Sequence, residues 1–232
     1  MASATPRPAT IRILWLITLL LVLIGVAMVI RRTLALFAPS PAPRNFPDAA
    51  VMDADFARHP LLTVVHMVPG LLFMVLGPLQ FARSLRTRRP ELHRWTGRVV
   101  IVSGLIIGGT ALVMSPQMAI GGVNETVATM LFAIIFLVAL IKAFLFIRQG
   151  KVALHREWMI RAFAIGLAVA TIRPIVGAFF ATRMLTHLTP HDFFGTAFWL
   201  GFTMHLIAAE IWINYTRPGV SIEGKSGLIA QE

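Results

Sequence analysis

The sequence predicts an all-α polytopic membrane protein with six transmembrane helices. We expect a central four-helix bundle, built from a duplicated helix hairpin. Residues are 57% hydrophobic and 13% charged, whereas a typical soluble domain is about 45–50% apolar and about 25% charged. A chain of 232 residues cannot hide this apolar excess in a soluble core. Composition therefore excludes a soluble globular enzyme, a disordered protein and a disulfide scaffold.

Six apolar segments approach the length of about 20 residues that crosses a bilayer. They cover residues 13–30, 61–82, 99–118, 126–147, 162–182 and 193–213. The first could also be a cleaved signal peptide, but its length favours a retained helix. We therefore divide the chain into a first helix with a Pro-rich outer loop (1–59), a five-helix membrane domain (60–215) and a tail (216–232).

The distribution of basic residues predicts the orientation, because Lys and Arg accumulate on the cytoplasmic side of a membrane. With the N-terminus inside, the inner segments carry 14 basic residues and the outer ones carry 5. Both termini are therefore predicted to be cytoplasmic. Arg31 and Arg32 are the awkward pair, since they follow the first segment on the outer side.

The excess of 21 Lys and Arg over 10 Asp and Glu does not indicate nucleic acid here. The basic residues alternate with apolar segments, so we interpret them as topology signals and contacts with membrane lipids. The chain has no cysteine, which excludes disulfides, iron–sulfur clusters and thiolate-ligated haem. Motifs for nucleotide binding, serine hydrolysis and zinc proteolysis are also missing from the sequence.

The two inner loops match each other at an offset of 62 residues. Leu92-His93-Arg94 aligns with Leu154-His155-Arg156, and Trp95 aligns with Trp158 after one inserted residue. Residues 61–114 and 124–182 are therefore predicted to be two parallel copies of one hairpin. Chance similarity between two basic loops is the alternative.

Four motifs resemble the predicted-membrane-protein family 2306, a family of unknown function. They are His66-Met-Val-Pro-Gly70, Leu76-Gly-Pro-Leu-Gln80-Phe81, Leu92-His-Arg-Trp-Thr-Gly-Arg98 and His155-Arg-Glu-Trp-Met-Ile-Arg161. The resemblance covers roughly residues 60–215 and is most specific in the two His-Arg loops. It implies a multi-pass protein of a bacterial inner membrane and brings no activity with it.

His66 and His205 are candidate haem ligands, because histidine is rare within membrane helices. Gly70 and Gly77 share a helical face with His66, which would let a flat porphyrin lie against the helix. A single b-type haem between His66 and His205 requires helix tilt to correct a depth mismatch of roughly 9 Å. The alternative is that each histidine bonds to a neighbouring helix.

Arg173 is the third candidate within the membrane. It lies in Thr171-Ile-Arg-Pro-Ile, where Pro174 is expected to kink the helix. A buried guanidinium needs an anion or several hydrogen-bond acceptors. A haem propionate, a quinone carbonyl, an acidic substrate or Glu125 could supply them, and the carbonyls of a kinked helix are the alternative.

His93 and His155 occupy equivalent positions in the two inner loops and are expected to face each other across the bundle. With the neighbouring arginines they would form a basic, titratable vestibule for an anionic group or a redox donor. An ordinary interfacial belt of Arg and Trp is the alternative.

Three functions remain open from the sequence. The first is a redox protein with haem b or a quinone, working with a redox partner, because four histidines lie along one helical bundle. The second is a transporter or binder of a small anionic molecule, because Arg173 is charged and lies beside a proline. The third is a structural or assembly subunit of a membrane complex, because small residues recur at helical spacing.

Overall fold

The computed structural model describes residues 8–38 and 48–217, which form helices joined by short turns. Within these residues, six long helices have the length and apolar composition needed to cross a membrane, which confirms the predicted fold class. In chain order the helices are α1 (Pro8–Phe37), α2 (Asp48–Arg58), α3 (Pro60–Phe81), α4 (Arg83–Arg88), α5 (Pro90–Met118), α6 (Gly122–Arg148), α7 (Val152–Thr186) and α8 (Pro190–Thr216).

The helices α5 and α7 are longer than their apolar segments. Each begins about two to three turns earlier, at the inner end of the bundle, by which we mean the end predicted to face the cytoplasm. We had expected His93 and His155 in loops, but both lie on helices. Pro90 stands at the start of α5, where its fixed φ angle and missing N–H suit a first turn.

The outer excursion between the first two spans is also more regular than expected. Helix α1 continues to Phe37 and the short helix α2 occupies 48–58. The predicted outer loop is therefore wrong for those parts of the chain. The prolines from Pro39 to Pro47 lie outside the described residues. Helix α2 packs against α1 and α3, which brings the carboxylate of Asp53 to the outer end of α1.

The helices α3, α5, α6 and α7 pack in chain order, each against the next. The bundle closes less tightly between α3 and α7, and α1 packs against both of them there. Helix α8 packs against α7 and α6 on the other side. Helix α7 continues through Pro174 to Thr186, so the proline does not end the helix.

Large apolar side chains lie against three glycines at the centre of the bundle. A Cβ atom on Gly166 would lie 2.5 Å from Phe73, and one on Gly104 would lie 2.5 Å from Leu140. Gly77 meets Phe163 at the same distance. These three glycines therefore serve close helix packing, and the side chain of Phe163 occupies the space beside Gly77.

Ion pairs join α7 and α8 at the inner end. Arg161 places Nε 2.5 Å and Nη2 2.9 Å from the carboxylate of Glu210, and Arg217 forms two hydrogen bonds to Glu157. The Glu157 carboxylate raises the pKa of Arg217 above its usual value. At the outer end of α8, Thr189 and Asp192 form a capping box.

Candidate functional site

Charged and titratable side chains from four helices approach one another in the outer half of the bundle. We call this group the outer cluster: Arg31, Arg32, His66, Glu125 and Arg173. The charge of Arg173 acts on His66, Arg32 and Glu125, and the charge of Arg31 acts on Arg173. The cluster lies where α1 packs beside the loose α3–α7 contact.

Helices α1 and α2 supply one wall of the outer cluster. Arg31 donates two hydrogen bonds to Asp53, of 3.0 and 3.2 Å, and Arg32 pairs with the same carboxylate. The guanidinium of Arg32 also lies 3.8 Å from the ring centroid of Phe56. The pair that was awkward for topology is thus held by α2, because Asp53 and Phe56 face α1.

Arg173 has no such partner. Within residues 8–38 and 48–217 its guanidinium makes neither a hydrogen bond nor an ion pair, although it is only partly exposed. Glu125 acts on Arg173 through its charge, but its Oε2 atom accepts a 2.7 Å hydrogen bond from the backbone N–H of Gly121. The outer cluster thus holds three arginines and one glutamate, and Asp53 pairs with the two arginines of α1 but not with Arg173.

The hydrogen bond of His66 determines which ring nitrogen carries its proton. Nδ1 of His66 lies 2.8 Å from Oγ1 of Thr110, and that hydroxyl donates to the carbonyl of Ile106 at 2.7 Å. A hydroxyl has one hydrogen to donate, so Nδ1 of His66 must be the donor to Thr110. When the ring is neutral, Nε2 is then left with its lone pair available as an acceptor or a ligand.

His205 is held differently and does not join the outer cluster. Its Nε2 atom lies 2.7 Å from Oγ1 of Thr171, and a backbone hydrogen bond with Ala164 acts on the same ring. Both partners are on α7, so His205 links α8 to α7. His66 instead bonds to α5, and the structure does not bring these two histidines together as a pair of ligands.

His93 and His155 are brought near each other at the inner end, since the charge of His155 acts on His93. Nδ1 of His155 donates a 2.8 Å hydrogen bond to the carbonyl of Ala143, which leaves Nε2 as the acceptor of a neutral ring. Nδ1 of His93 is buried and has no hydrogen-bond partner among the described residues. Arg86 and Arg94 add positive charge to this histidine pair.

The sequence analysis identified the candidate histidines and Arg173 but not the residues that orient them. Thr110 and Thr171 were missed, although threonine hydroxyls form hydrogen bonds between membrane helices. The contribution of α2 was also missed. Its signal was the placement of Asp53 and Asp55 after the two outer arginines.

Comparison with known proteins adds the family to these observations. Residues 63–213 match the model of a family described as predicted membrane protein (DUF2306). No curated protein and no solved structure matches the chain. The matched range covers more than half of the chain and includes His66, His93, His155, Arg173 and His205. This multi-pass membrane protein therefore belongs to the DUF2306 family, a family of unknown function.

Proposed function

We propose that the protein binds a small anionic molecule at the outer cluster, as a membrane transporter or binding protein. The observation that carries this proposal is the guanidinium of Arg173, which is within a transmembrane helix and forms no hydrogen bond or ion pair among the described residues, although the charge of Glu125 acts on it. A charge in this position costs several kcal/mol. This cost is offset when a bound ligand places an anion in contact with the guanidinium.

The donors and acceptors of the outer cluster define the ligand chemistry. A guanidinium binds a carboxylate or phosphate through two parallel hydrogen bonds. Nε2 of His66 offers an acceptor nearby, because Nδ1 is engaged by Thr110. The ligand expected from this pattern carries an anionic oxygen group together with a hydroxyl or another proton donor.

The loose packing between α3 and α7 supports a route to the site. These two helices meet less closely than the other neighbours in the bundle, and α1 covers the opening. Movement of α1 and α2 would expose Arg173 without breaking the packing of Phe73 and its neighbours. We therefore infer that α1 with α2 is the gate on the outer side.

The test compares thermal stability of the purified protein with and without a panel of small anions, including benzoate, succinate and inorganic phosphate. Arg173→Gln should abolish stabilisation by the active anion and should leave basal stability unchanged or higher, because it removes an uncompensated charge. Arg148→Gln, which removes an exposed arginine at the other end of the bundle, is the matched control. A loss of basal stability in Arg173→Gln, with no anion effect on the wild type, would contradict the proposal.

A redox function is the second candidate, and the buried, unpartnered Nδ1 of His93 beside His155 favours it. Those two histidines would hold a haem b at the inner end, and Arg86 and Arg94 would face its propionates; the bound haem would supply one-electron chemistry to a quinone or a redox partner. On the helical face of His66, the side chain of Phe163 lies against Gly77, in space that a porphyrin on that face would need. The test is the absorption spectrum of protein expressed with haem supplementation, recorded after oxidation and again after reduction. The spectra of the wild type, His93→Ala and His205→Ala are compared.

We further propose that the protein resides in the cell membrane with both termini cytoplasmic. The excess of basic residues in the inner segments supports this orientation. Under it, the outer cluster faces the side opposite the cytoplasm, and the His93–His155 pair faces the cytoplasm.

A further inference from the structure

Two tryptophan–arginine pairs occupy the inner ends of α5 and α7. In α7 the guanidinium of Arg161 lies 4.7 Å from the ring centroid of Trp158, and in α5 that of Arg98 lies 5.2 Å from the ring centroid of Trp95. Each arginine is three residues after its tryptophan, so both pairs use the same helical spacing. The two pairs can therefore be compared directly.

The difference between the two pairs is the anion. Arg161 has the carboxylate of Glu210 in hydrogen-bond contact and that of Glu157 at 3.9 Å. Arg98 makes no hydrogen bond or ion pair within the described part of the chain, and neither does Arg94 one turn before it. Thus no carboxylate of the described residues pairs with Arg98 as Glu210 does with Arg161.

A pocket lies where that anion would bind. It has a volume of about 340 Å³ and is lined by Glu91, Arg94, Trp95 and Arg98. Such a volume is within the range of small-ligand sites, about 300–1,000 Å³. Its two arginines outnumber its one carboxylate, and the exposed arginines of α4 add positive charge beside it.

We propose that this pocket binds the headgroup of an anionic phospholipid of the inner leaflet, of the phosphatidylglycerol type. Arg94 and Arg98 bind the phosphate oxygens, which guanidinium groups do in pairs of hydrogen bonds. Trp95, which is 64% exposed, lies at the depth of the headgroups, where tryptophan is favoured. Glu91 accepts hydrogen bonds from the glycerol hydroxyls, so the site selects a headgroup that has hydroxyls as well as a phosphate.

The test places the full chain in nanodiscs that contain phosphatidylcholine with a minor share of phosphatidylglycerol. Native mass spectrometry then counts the lipids that remain bound. The wild type should retain phosphatidylglycerol, and Arg98→Gln should reduce its retention about tenfold, the effect of losing one charge-assisted contact. Arg89→Gln removes an equal charge from a neighbouring exposed position and should retain the lipid.

Three outcomes would overturn the proposal. One is equal loss of lipid in Arg98→Gln and Arg89→Gln, which would show only a general attraction between charges. The second is equal retention in the wild type and in Arg98→Gln. The third is displacement of the bound lipid by millimolar inorganic phosphate or glycerol 3-phosphate, which would identify the pocket as a site for a soluble phosphate compound.

Discussion

The ring edge of Phe73 occupies the space that a side chain at Gly166 would need. The two residues are on α3 and α7, and Cε1 of Phe73 lies 2.5 Å from the position of a Cβ atom on Gly166. Phe73 also forms an edge-to-face contact with Phe136, with ring centroids 5.5 Å apart. One phenylalanine therefore joins three helices at the centre of the bundle, and the glycine makes this approach possible.

Substitution of Gly166 tests this relationship. Gly166→Ala should destabilise the protein by about 1–3 kcal/mol, because the added methyl group overpacks the core against Phe73. Gly177→Ala on the same helix is the control, since nothing lies within 4 Å of its new Cβ atom. That variant should be neutral or stabilised by up to about 1 kcal/mol, because alanine favours the helix. Thermal unfolding in detergent measures both, and equal effects would contradict the packing.

Thr171 should stabilise the attachment of α8 through His205. Thr171→Val keeps the shape of the side chain and removes the hydroxyl that lies 2.7 Å from Nε2 of His205. The expected loss is about 0.6–1.7 kcal/mol, the range for hydrogen bonds between membrane helices. Thr203→Val, at an exposed position of α8, should have little effect. A null result for Thr171→Val in thermal unfolding would leave His205 without its assigned structural role.

The ion pair between Arg161 and Glu210 should contribute modestly to stability. The Glu210 side chain is 41% exposed, so screening reduces the coupling to about 0.5 kcal/mol. A double-mutant cycle of Arg161→Gln and Glu210→Gln measures this coupling by thermal unfolding. The sum of the two single losses of stability should exceed the loss in the double variant by about this coupling. Strict additivity would show that the pair is not coupled.

The absence of cysteine from the sequence makes the orientation directly measurable. Ser84→Cys on α4 and Ala57→Cys on α2 introduce single thiols at exposed positions on opposite ends of the bundle. An impermeant maleimide should label Ala57→Cys in cells with an accessible outer face. Ser84→Cys should be labelled only after the membrane is permeabilised, and the reverse pattern would invert the proposed topology.

Removal of α2's acidic contact should loosen the gate that we infer over Arg173. Asp53→Asn deletes the carboxylate shared by Arg31 and Arg32 and should increase labelling of a cysteine placed at Val64 in the outer half of α3. Asp55→Asn, whose carboxylate pairs with Arg58 within α2 itself, is the control. Unchanged labelling in Asp53→Asn would show that this ion pair does not hold the gate.

The sequence by itself determined the number and type of the helices. Apolar length and the placement of charge follow from the solvent that each segment must face, and neither requires knowledge of neighbours. The same reasoning identified His66, Arg173 and His205, because an ionisable group in a membrane segment is costly wherever its helix packs. The match between the two inner loops identified His93 and His155. The capping box at Thr189 and Asp192 was also predictable, since its partners are three residues apart.

Only the tertiary structure decided what each polar residue contacts. The partners of His66, His205 and Arg161 are 44, 34 and 49 residues away along the chain, and periodicity carries no information about which helix lies opposite. The extension of α5 and α7 beyond their apolar segments escaped prediction for a related reason. The first turn of α5 begins at Pro90, and the inner end of α7 is joined to α8 by the Arg161–Glu210 pair, neither of which hydropathy reports.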